Sequence, residues 1–183
     1  MWYRIRKLVP RAIKAVLRES SYLTVVSDRR SLRAYRRSLE PERPYGEIES
    51  LAIRQLGHRS IEVRAGTTDA NVVFATFFHR FHLPPSDLRM APDPVIWDLG
   101  ANIGLTMAHF AERYPRARVV GVELDGANVA LCKRNVAPWS SRCTVVEGAV
   151  WHEDGQARYV AGPGIEDGYS VTTNGEALRD TAL

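Results

Sequence analysis

The chain has 183 residues, of which 45% are hydrophobic and 25% charged, and its formal net charge is +4. This composition is that of an ordinary globular protein with one sizeable core. No uninterrupted apolar run approaches the length that spans a bilayer, which argues against an integral membrane protein. The two cysteines, Cys132 and Cys143, lack the spacing of metal ligands. They are predicted to be buried free thiols in a reducing compartment, and we expect a cytoplasmic protein.

The positive charge is concentrated in the first 43 residues, which carry twelve Lys or Arg and four Asp or Glu. The remainder of the chain is therefore net negative. Apolar residues recur at helical spacing among the basic ones, so residues 1–45 are predicted to form a basic helical extension. Three interpretations stay open: a solvated helix or tail, peripheral contact with an anionic membrane, and, least favoured, nucleic-acid binding.

Residues 46–94 are predicted to form a hairpin and a helix that lead into the main domain. Partial alternation of apolar and polar residues at Ile48–Leu56 and Ser60–Arg64 predicts the hairpin. Thr68 or Asp69 precedes an apolar run and is expected to cap a helix by accepting from its first free N–H groups.

Residues 95–183 open with alternating strand and helix patterns. Strands are predicted from Val95, from Arg118 and from Cys143, with helices at about 103–114 and at 127–136 between them. This order calls for parallel strands joined by crossover helices, so the predicted fold is α/β, a Rossmann-like doubly wound sheet. The glycine turn after the first of these strands is expected to present free backbone N–H groups at the sheet's carboxyl edge.

Three acidic residues follow or end these strands, and together they predict the ligand. Asp98 lies immediately before the turn Gly100-Ala-Asn-Ile-Gly104, and Glu123 ends the next strand, where its oxygens can accept from two ribose hydroxyls. The third exit, Glu147-Gly148-Ala149, lies where an adenine ring would rest. A carboxylate at Asp98 would repel a pyrophosphate but suits a cation, which favours S-adenosylmethionine. Taken alone, the two glycines are weak evidence, because a full dinucleotide fingerprint has three, and close packing of helix on strand is the alternative interpretation.

These segments resemble the FkbM-type, class I S-adenosylmethionine-dependent methyltransferases. The resemblance covers roughly residues 60–160 and is carried by three runs: Val-Ile-Trp-Asp-Leu-Gly-Ala-Asn-Ile-Gly-Leu-Thr from Val95, Val-Val-Gly-Val-Glu-Leu-Asp from Val119, and Val-Glu-Gly-Ala-Val-Trp-His-Glu-Asp-Gly from Val146. It implies a cofactor bound by Glu123 at the ribose, by Leu124 beside the adenine, and by Asp98, Gly100, Ala101, Asn102 and Gly104 on the methionine and ribose side. It also implies O-methylation of a saccharide or another small secondary metabolite.

Two departures from that family affect the interpretation. Leu124 stands where relatives usually have proline, and the second half of the family's sheet, with its later acidic strand, is absent. We therefore expect a truncated member, active or inactive as this chain, with an exposed sheet edge that favours self-association. A catalytically inactive nucleotide-binding module and a fragment of a nicotinamide-dependent oxidoreductase are the alternatives.

No catalytic residue is assigned from the sequence. His109, His152 and Asp167 are candidates for a general base, although each is first interpreted as a surface residue. His79 and His82 have no partners at metal-ligand spacing and are predicted to be structural, so no metal site is expected.

Overall fold

The computed structural model describes residues 20–40, 42–152, 155–160, 171–172 and 178–182. Residues 1–19, the first part of the predicted basic extension, and the candidate Asp167 lie outside the described residues. The elements in chain order are a helix over residues 20–25, α1 (Arg29–Ser38), β1 (Ile48–Ala52), a 3-10 turn (Arg54–Leu56), β2 (Ser60–Arg64), α2 (Asp69–Phe74), a π-helical turn (Ala75–His79), β3 (Val95–Leu99), α3 (Leu105–Arg113), β4 (Arg118–Glu123), α4 (Gly126–Asn135), a 3-10 turn (Ala137–Trp139), β5 (Cys143–Glu147), β6 (Gln156–Val160), β7 (Val171–Thr172) and β8 (Leu178–Ala182).

A three-stranded parallel sheet carries the predicted site. Strand β4 lies between β3 and β5, and the register places Asp98 opposite Gly121 and Glu123 opposite Glu147. Helix α3 connects the first two strands and α4 connects the next two. The predicted α/β, Rossmann-like fold is therefore confirmed.

Helices α3 and α4 pack together over one face of this sheet. Gly121 brings α3 close to the middle strand, because an added Cβ there would overlap the Met107 sulfur and the Cβ of Ala101. The thiol of Cys132 on α4 lies 3.6 Å from the same Met107 sulfur. Both cysteines are free and buried, as predicted, and burial raises the pKa of Cys132 to about 12.

The hairpin and the helices before it share this core. Strands β1 and β2 pair antiparallel, and one cluster of buried apolar side chains runs from Tyr22 to Cys143. Helix α1 is bound to β1 by Glu49, which accepts from Nε and Nη2 of Arg37 at 2.6 Å each and from Arg43 at 3.0 Å. The hydrogen bonds from Arg37 hold the pKa of Glu49 below its usual range. Some of the basic residues near the N-terminus thus serve internal packing.

A buried ion pair joins the hairpin to α2 and α4. The guanidinium of Arg64 donates to both carboxylate oxygens of Asp69 at 2.8 and 2.9 Å, and to Oδ1 of Asn128 at 2.7 Å. The prediction that Thr68 or Asp69 caps α2 is therefore wrong. The side chain of Thr68 makes no capping bond, and Asp69 accepts from Arg64 instead. The guanidinium of Arg64, five residues earlier at the end of β2, is a charged donor and binds this carboxylate in place of the helix N–H groups.

The end of the chain that the structure describes forms a second small sheet. Strand β6 pairs antiparallel with β7 on one side and with β8 on the other. Its Tyr159 is buried, and the hydroxyl donates to Oδ2 of Asp125 at 3.0 Å. This bond holds the small sheet against the start of α4. Among the described residues, no helix combines the length and the hydrophobicity needed to cross a bilayer.

Replacing Arg64 by methionine is expected to lower the free energy of unfolding by about 3 kcal/mol, because it leaves the fully buried Asp69 carboxylate without its cation. Urea denaturation followed by circular dichroism measures the change. The matched control is Arg134→Met, which breaks the half-exposed pair with Glu62 and should cost no more than about 0.5 kcal/mol. Equal losses in the two variants would contradict the role given to the buried pair.

Candidate functional site

The turn between β3 and α3 is held by hydrogen bonds within the chain. The N–H groups of Gly100 and Ala101 both donate to the carbonyl of Val122 at 2.9 Å. The N–H of Gly104 donates to the Ala101 carbonyl at 2.8 Å, and that of Ile103 donates to the side chain of Asn102. Gly100, Asn102 and Gly104 have φ angles of +89°, +49° and +81°, which the turn requires.

The expectation of free N–H donors in this turn is therefore wrong for residues 100–104. The fifth donor, the N–H of Asn102, is bound to Oε2 of Glu123 at 2.7 Å. A phosphate-binding turn needs its N–H groups to point at the ligand. These five point at the neighbouring strand and at local acceptors, so none of them is available to a phosphate.

Glu123 connects the glycine turn to the start of α4. Besides the bond from Asn102, its Oε1 accepts from the N–H of Asp125 at 2.9 Å and from the side-chain amide of Asn128 at 3.4 Å. The residue is 4% exposed. Each oxygen of a carboxylate has two acceptor positions, so these bonds leave capacity for a ligand donor. In the structure as it stands, Glu123 sets the shape of the turn.

The side chain of Asp98 has an oxygen for which the described part of the chain offers no hydrogen-bond donor. This oxygen, Oδ2, is buried. Burial, with a further contribution from the nearby Glu123 carboxylate, raises the pKa of Asp98 to about 6. At neutral pH the half-buried Asp98 therefore carries a negative charge beside a second carboxylate, with its buried Oδ2 unpartnered. A cationic or hydrogen-donating ligand would compensate it.

An apolar cavity of about 140 Å³ opens at the carboxyl ends of the strands. Three of the predicted cofactor residues line it: Leu124 and Ala149 from neighbouring strand exits, and Gly100 from the glycine turn. The other walls are Leu99, Val122, Gly148 and Val150. Glu147 is exposed and does not line this cavity. Of the predicted cofactor residues, Leu124 and Ala149 therefore lie at the apolar cavity, whereas Asp98 and Glu123 form a separate group of acidic side chains.

The network behind Glu123 includes residues that sequence reasoning missed. Asp125 is the N-cap of α4, accepting from the N–H groups of Ala127 and Asn128 at 3.0 Å each. An aspartate directly before a helix pattern is the signal that would have identified it. Tyr159 on β6 and the Arg64–Asn128 bond gave no such signal, because they depend on elements that meet only in the folded chain.

The predicted candidates for a general base do not gather at this site. His109 is buried in α3, with its Nδ1 2.9 Å from Nε2 of His82. Burial lowers the pKa of both rings to about 4, so both are neutral at physiological pH and serve packing. His152 is exposed, with its ring centroid 5.2 Å from that of Trp151. No group of three or more His, Cys, Asp or Glu suited to a metal ion occurs in the described ranges.

Comparison with known proteins points to one class of enzyme. The chain is 34% identical over 73 residues to a release factor glutamine methyltransferase of Geobacter sulfurreducens, a match that covers 39% of this chain. It is 28% identical over 143 residues to the type II methyltransferase M.XamI of Xanthomonas campestris pv. amaranthicola, a match that covers 68% of this chain. Both curated relatives are methyltransferases. The chain spans 26% of the length of each.

A solved structure of the methyltransferase FkbM from Methylobacillus flagellatus KT is also similar. It is 22% identical and superposes with a TM-score of 0.37, covering 45% of this chain and 23% of that chain. At this score the fold assignment rests on the strand order and crossovers described above. No family model matches the chain.

Two glycine substitutions are expected to separate strain in the turn from packing behind it. Gly104→Ala should lower the free energy of unfolding by about 3 kcal/mol, since its Cβ would lie 2.7 Å from the Cys132 sulfur at a positive φ. Gly100→Ala should cost only about 1 kcal/mol, because its Cβ meets nothing within 4 Å and the strain acts alone. Chemical denaturation compares them, and similar losses would contradict the packing role of Gly104.

Proposed function

We propose that the carboxyl edge of the parallel sheet binds S-adenosylmethionine and that the chain carries the cofactor-binding part of an FkbM-type methyltransferase. The observation that carries the proposal is the buried, unpartnered Oδ2 of Asp98 beside Glu123. S-adenosylmethionine brings a sulfonium and an amino group, and either positive charge would compensate this carboxylate. A ligand with a pyrophosphate would add negative charge to a site that already holds two acids.

The same site suits the other parts of the cofactor. The apolar walls of the cavity, with Leu124 and Ala149, are proposed to hold the adenine ring. Glu123 has one acceptor position left, on Oε2, beyond its bonds to Asn102, Asp125 and Asn128, and this position is proposed for a ribose hydroxyl. In this assignment Gly100, Ala101, Asn102 and Gly104 shape the turn through their internal bonds. Glu147 faces the start of α4 from outside the cavity, and its proposed role is confined to the edge of the site.

Bound S-adenosylmethionine would supply a methyl group on a positively charged sulfur, ready for transfer to a nucleophile. The chain's own contribution is then orientation of the cofactor and charge compensation. The proposed acceptor is a hydroxyl group of a saccharide or another small metabolite. Among the described residues, those that line the cavity include no base for the hydroxyl proton. The second outcome to test is therefore a chain that binds the cofactor but does not transfer its methyl group.

Titration calorimetry with S-adenosylmethionine, S-adenosylhomocysteine and a nicotinamide dinucleotide tests the proposal. Saturable binding of the first two ligands alone is expected. Asp98→Asn should weaken S-adenosylmethionine binding by at least about tenfold, because the charge-assisted contact is lost. The variant should be at least as stable as the parent at about pH 8, since it removes an unpaired buried charge. Methyl transfer to hydroxyl acceptors is measured separately.

Glu123→Gln should reduce both the affinity for S-adenosylmethionine and the stability of the fold. The NH2 group of the glutamine would face the N–H of Asn102 or of Asp125, so two donors would meet where a hydrogen bond is now made. Glu62→Gln serves as the matched control: it weakens only the half-exposed pair with Arg134, so it should leave the affinity unchanged and cost no more than about 0.5 kcal/mol of stability. Preference for the dinucleotide, or unchanged affinity in both Asp98→Asn and Glu123→Gln, would overturn the assignment. Binding of none of the three ligands would favour an inactive module.

The affinity for S-adenosylmethionine is expected to fall as the pH drops below about 6. Folding raises the pKa of Asp98 from 3.8 to about 6. The contribution of Asp98 to the stability of the ligand-free protein is therefore fully present below pH 3.8, where the group is protonated in both states, and it is lost as the pH rises through 6. A bound cation favours the opposite, ionised form. The dissociation constant should rise by up to about tenfold per pH unit below 6. Asp98→Asn should abolish this dependence, and an unchanged slope in that variant would assign it to another group.

A further inference from the structure

The side chain of Asn128 lies between the guanidinium of Arg64 and the carboxylate of Glu123. Asn128 belongs to the first turn of α4 and is fully buried. Its Oδ1 accepts from Nη2 of Arg64 at 2.7 Å, and its Nδ2 donates to Oε1 of Glu123 at 3.4 Å. Its backbone N–H donates to the N-cap carboxylate of Asp125. Asn128 is therefore fixed through both its backbone and its side chain.

The guanidinium of Arg64 determines which end of the Asn128 amide faces Glu123. A guanidinium has donors and no acceptor, so it must meet the oxygen of the amide. Arg64 is itself held by both carboxylate oxygens of Asp69, at 2.8 and 2.9 Å. The NH2 group of Asn128 is thereby turned toward Glu123, where it makes a hydrogen bond. The reversed amide would bring two oxygens together at this point and two donors together at Arg64.

Donors from the chain fill most of the Glu123 carboxylate. A carboxylate has about four acceptor positions, two on each oxygen. Among the described residues, the N–H of Asp125 and the NH2 of Asn128 both donate to Oε1. Oε2 accepts from the N–H of Asn102. The oxygen that retains a position for a ligand is therefore Oε2, and the bond from Asn128 is what fills Oε1.

We propose that Asn128 is a positioning residue that restricts Glu123 to one hydroxyl group of the cofactor's ribose. The inference rests on the proposed function, in which the ribose lies at Glu123, between Val122 and Leu124 of the cavity wall. The sequence by itself predicts acceptors on Glu123 for both ribose hydroxyls. The bonds in the folded chain leave an acceptor for one of them. The site should therefore distinguish the two hydroxyls, whereas a carboxylate that bound both would lose affinity when either was removed.

Titration calorimetry with S-adenosylhomocysteine and with its 2′-deoxy and 3′-deoxy analogues tests the restriction to one hydroxyl. Removing the hydroxyl that Glu123 holds should raise the dissociation constant at least about tenfold, because a hydrogen bond to a charged acceptor is lost. Removing the other hydroxyl should raise it no more than about threefold, since no charged acceptor is lost with it. We call the analogue with the larger loss the sensitive analogue. Equal losses for the two analogues would overturn the proposal.

Asn128→Leu tests the positioning role. The dissociation constant of S-adenosylhomocysteine should rise at least about fivefold, because Glu123 loses the donor that fixes its Oε1. The dissociation constant of the sensitive analogue should stay within about twofold of the parent's value, since that ligand lacks the hydroxyl concerned.

The matched control is Asn135→Leu, which makes the same change at another buried asparagine of α4. The side chain of Asn135 bonds the backbone of Glu62 and of Ile103 and does not touch Glu123. Loss of these bonds acts on the fold, so Asn135→Leu should change the affinities for S-adenosylhomocysteine and for the sensitive analogue by the same factor.

Circular dichroism establishes that each variant is folded. If Asn128→Leu does not fold, Asn128→Asp takes its place, because it keeps an acceptor for Arg64 while removing the donor to Glu123, and it should give the same selective loss. Equal losses for S-adenosylhomocysteine and the sensitive analogue in the Asn128 variant would indicate a purely structural role and overturn the proposal. Either failure leaves the proposed function intact as long as S-adenosylhomocysteine binds to the parent chain. Binding of none of the three ligands would overturn both proposals.

Discussion

The site depends on the carboxylate of Glu123 accepting two backbone N–H groups from different parts of the chain. One comes from Asn102 in the glycine turn and the other from Asp125 at the start of α4. Because these bonds join the ends of β3 and β4, the turn, the second strand exit and the cap of α4 form one unit. The left-handed conformation of Asn102 is held in place by the same bond.

This arrangement has an electrostatic consequence for Asp98. Glu123 is fixed by its N–H donors, and it lies close enough to raise the pKa of Asp98. The donors of the turn are used internally, so none is available to Asp98 Oδ2. The structure thus concentrates negative charge where a cation can compensate it. A cavity with apolar walls lies at the same sheet edge.

The lead-in hairpin supports the site through a chain of buried polar contacts. Arg64 on β2 pairs with Asp69 and also bonds Asn128, whose amide reaches Glu123. On another side, Tyr159 on β6 bonds Asp125. Elements before and after the parallel sheet are therefore linked to the carboxylate of Glu123, the first through Asn128 and the second through Asp125. Buried polar groups of this kind favour one arrangement over its alternatives, because an unmade bond is costly.

The sequence by itself determined the order β3–α3–β4–α4–β5, because strand alternation, glycine bends and helical spacing are local patterns. It also placed Asp98 and Glu123 at neighbouring strand ends, since parallel strands end at one edge of a sheet. Only the tertiary structure decided how these groups are bonded. The turn's N–H groups bond inward, Asp69 pairs with Arg64 instead of capping its helix, and His109 pairs with His82. The bonds of Gly100 and Ala101 to Val122, and the contact of His109 with His82, join groups more than 20 residues apart in the chain, which no local pattern encodes. Arg64 and Asp69 are only five residues apart, but which of two possible partners Asp69 binds depends on how the chain turns between β2 and α2.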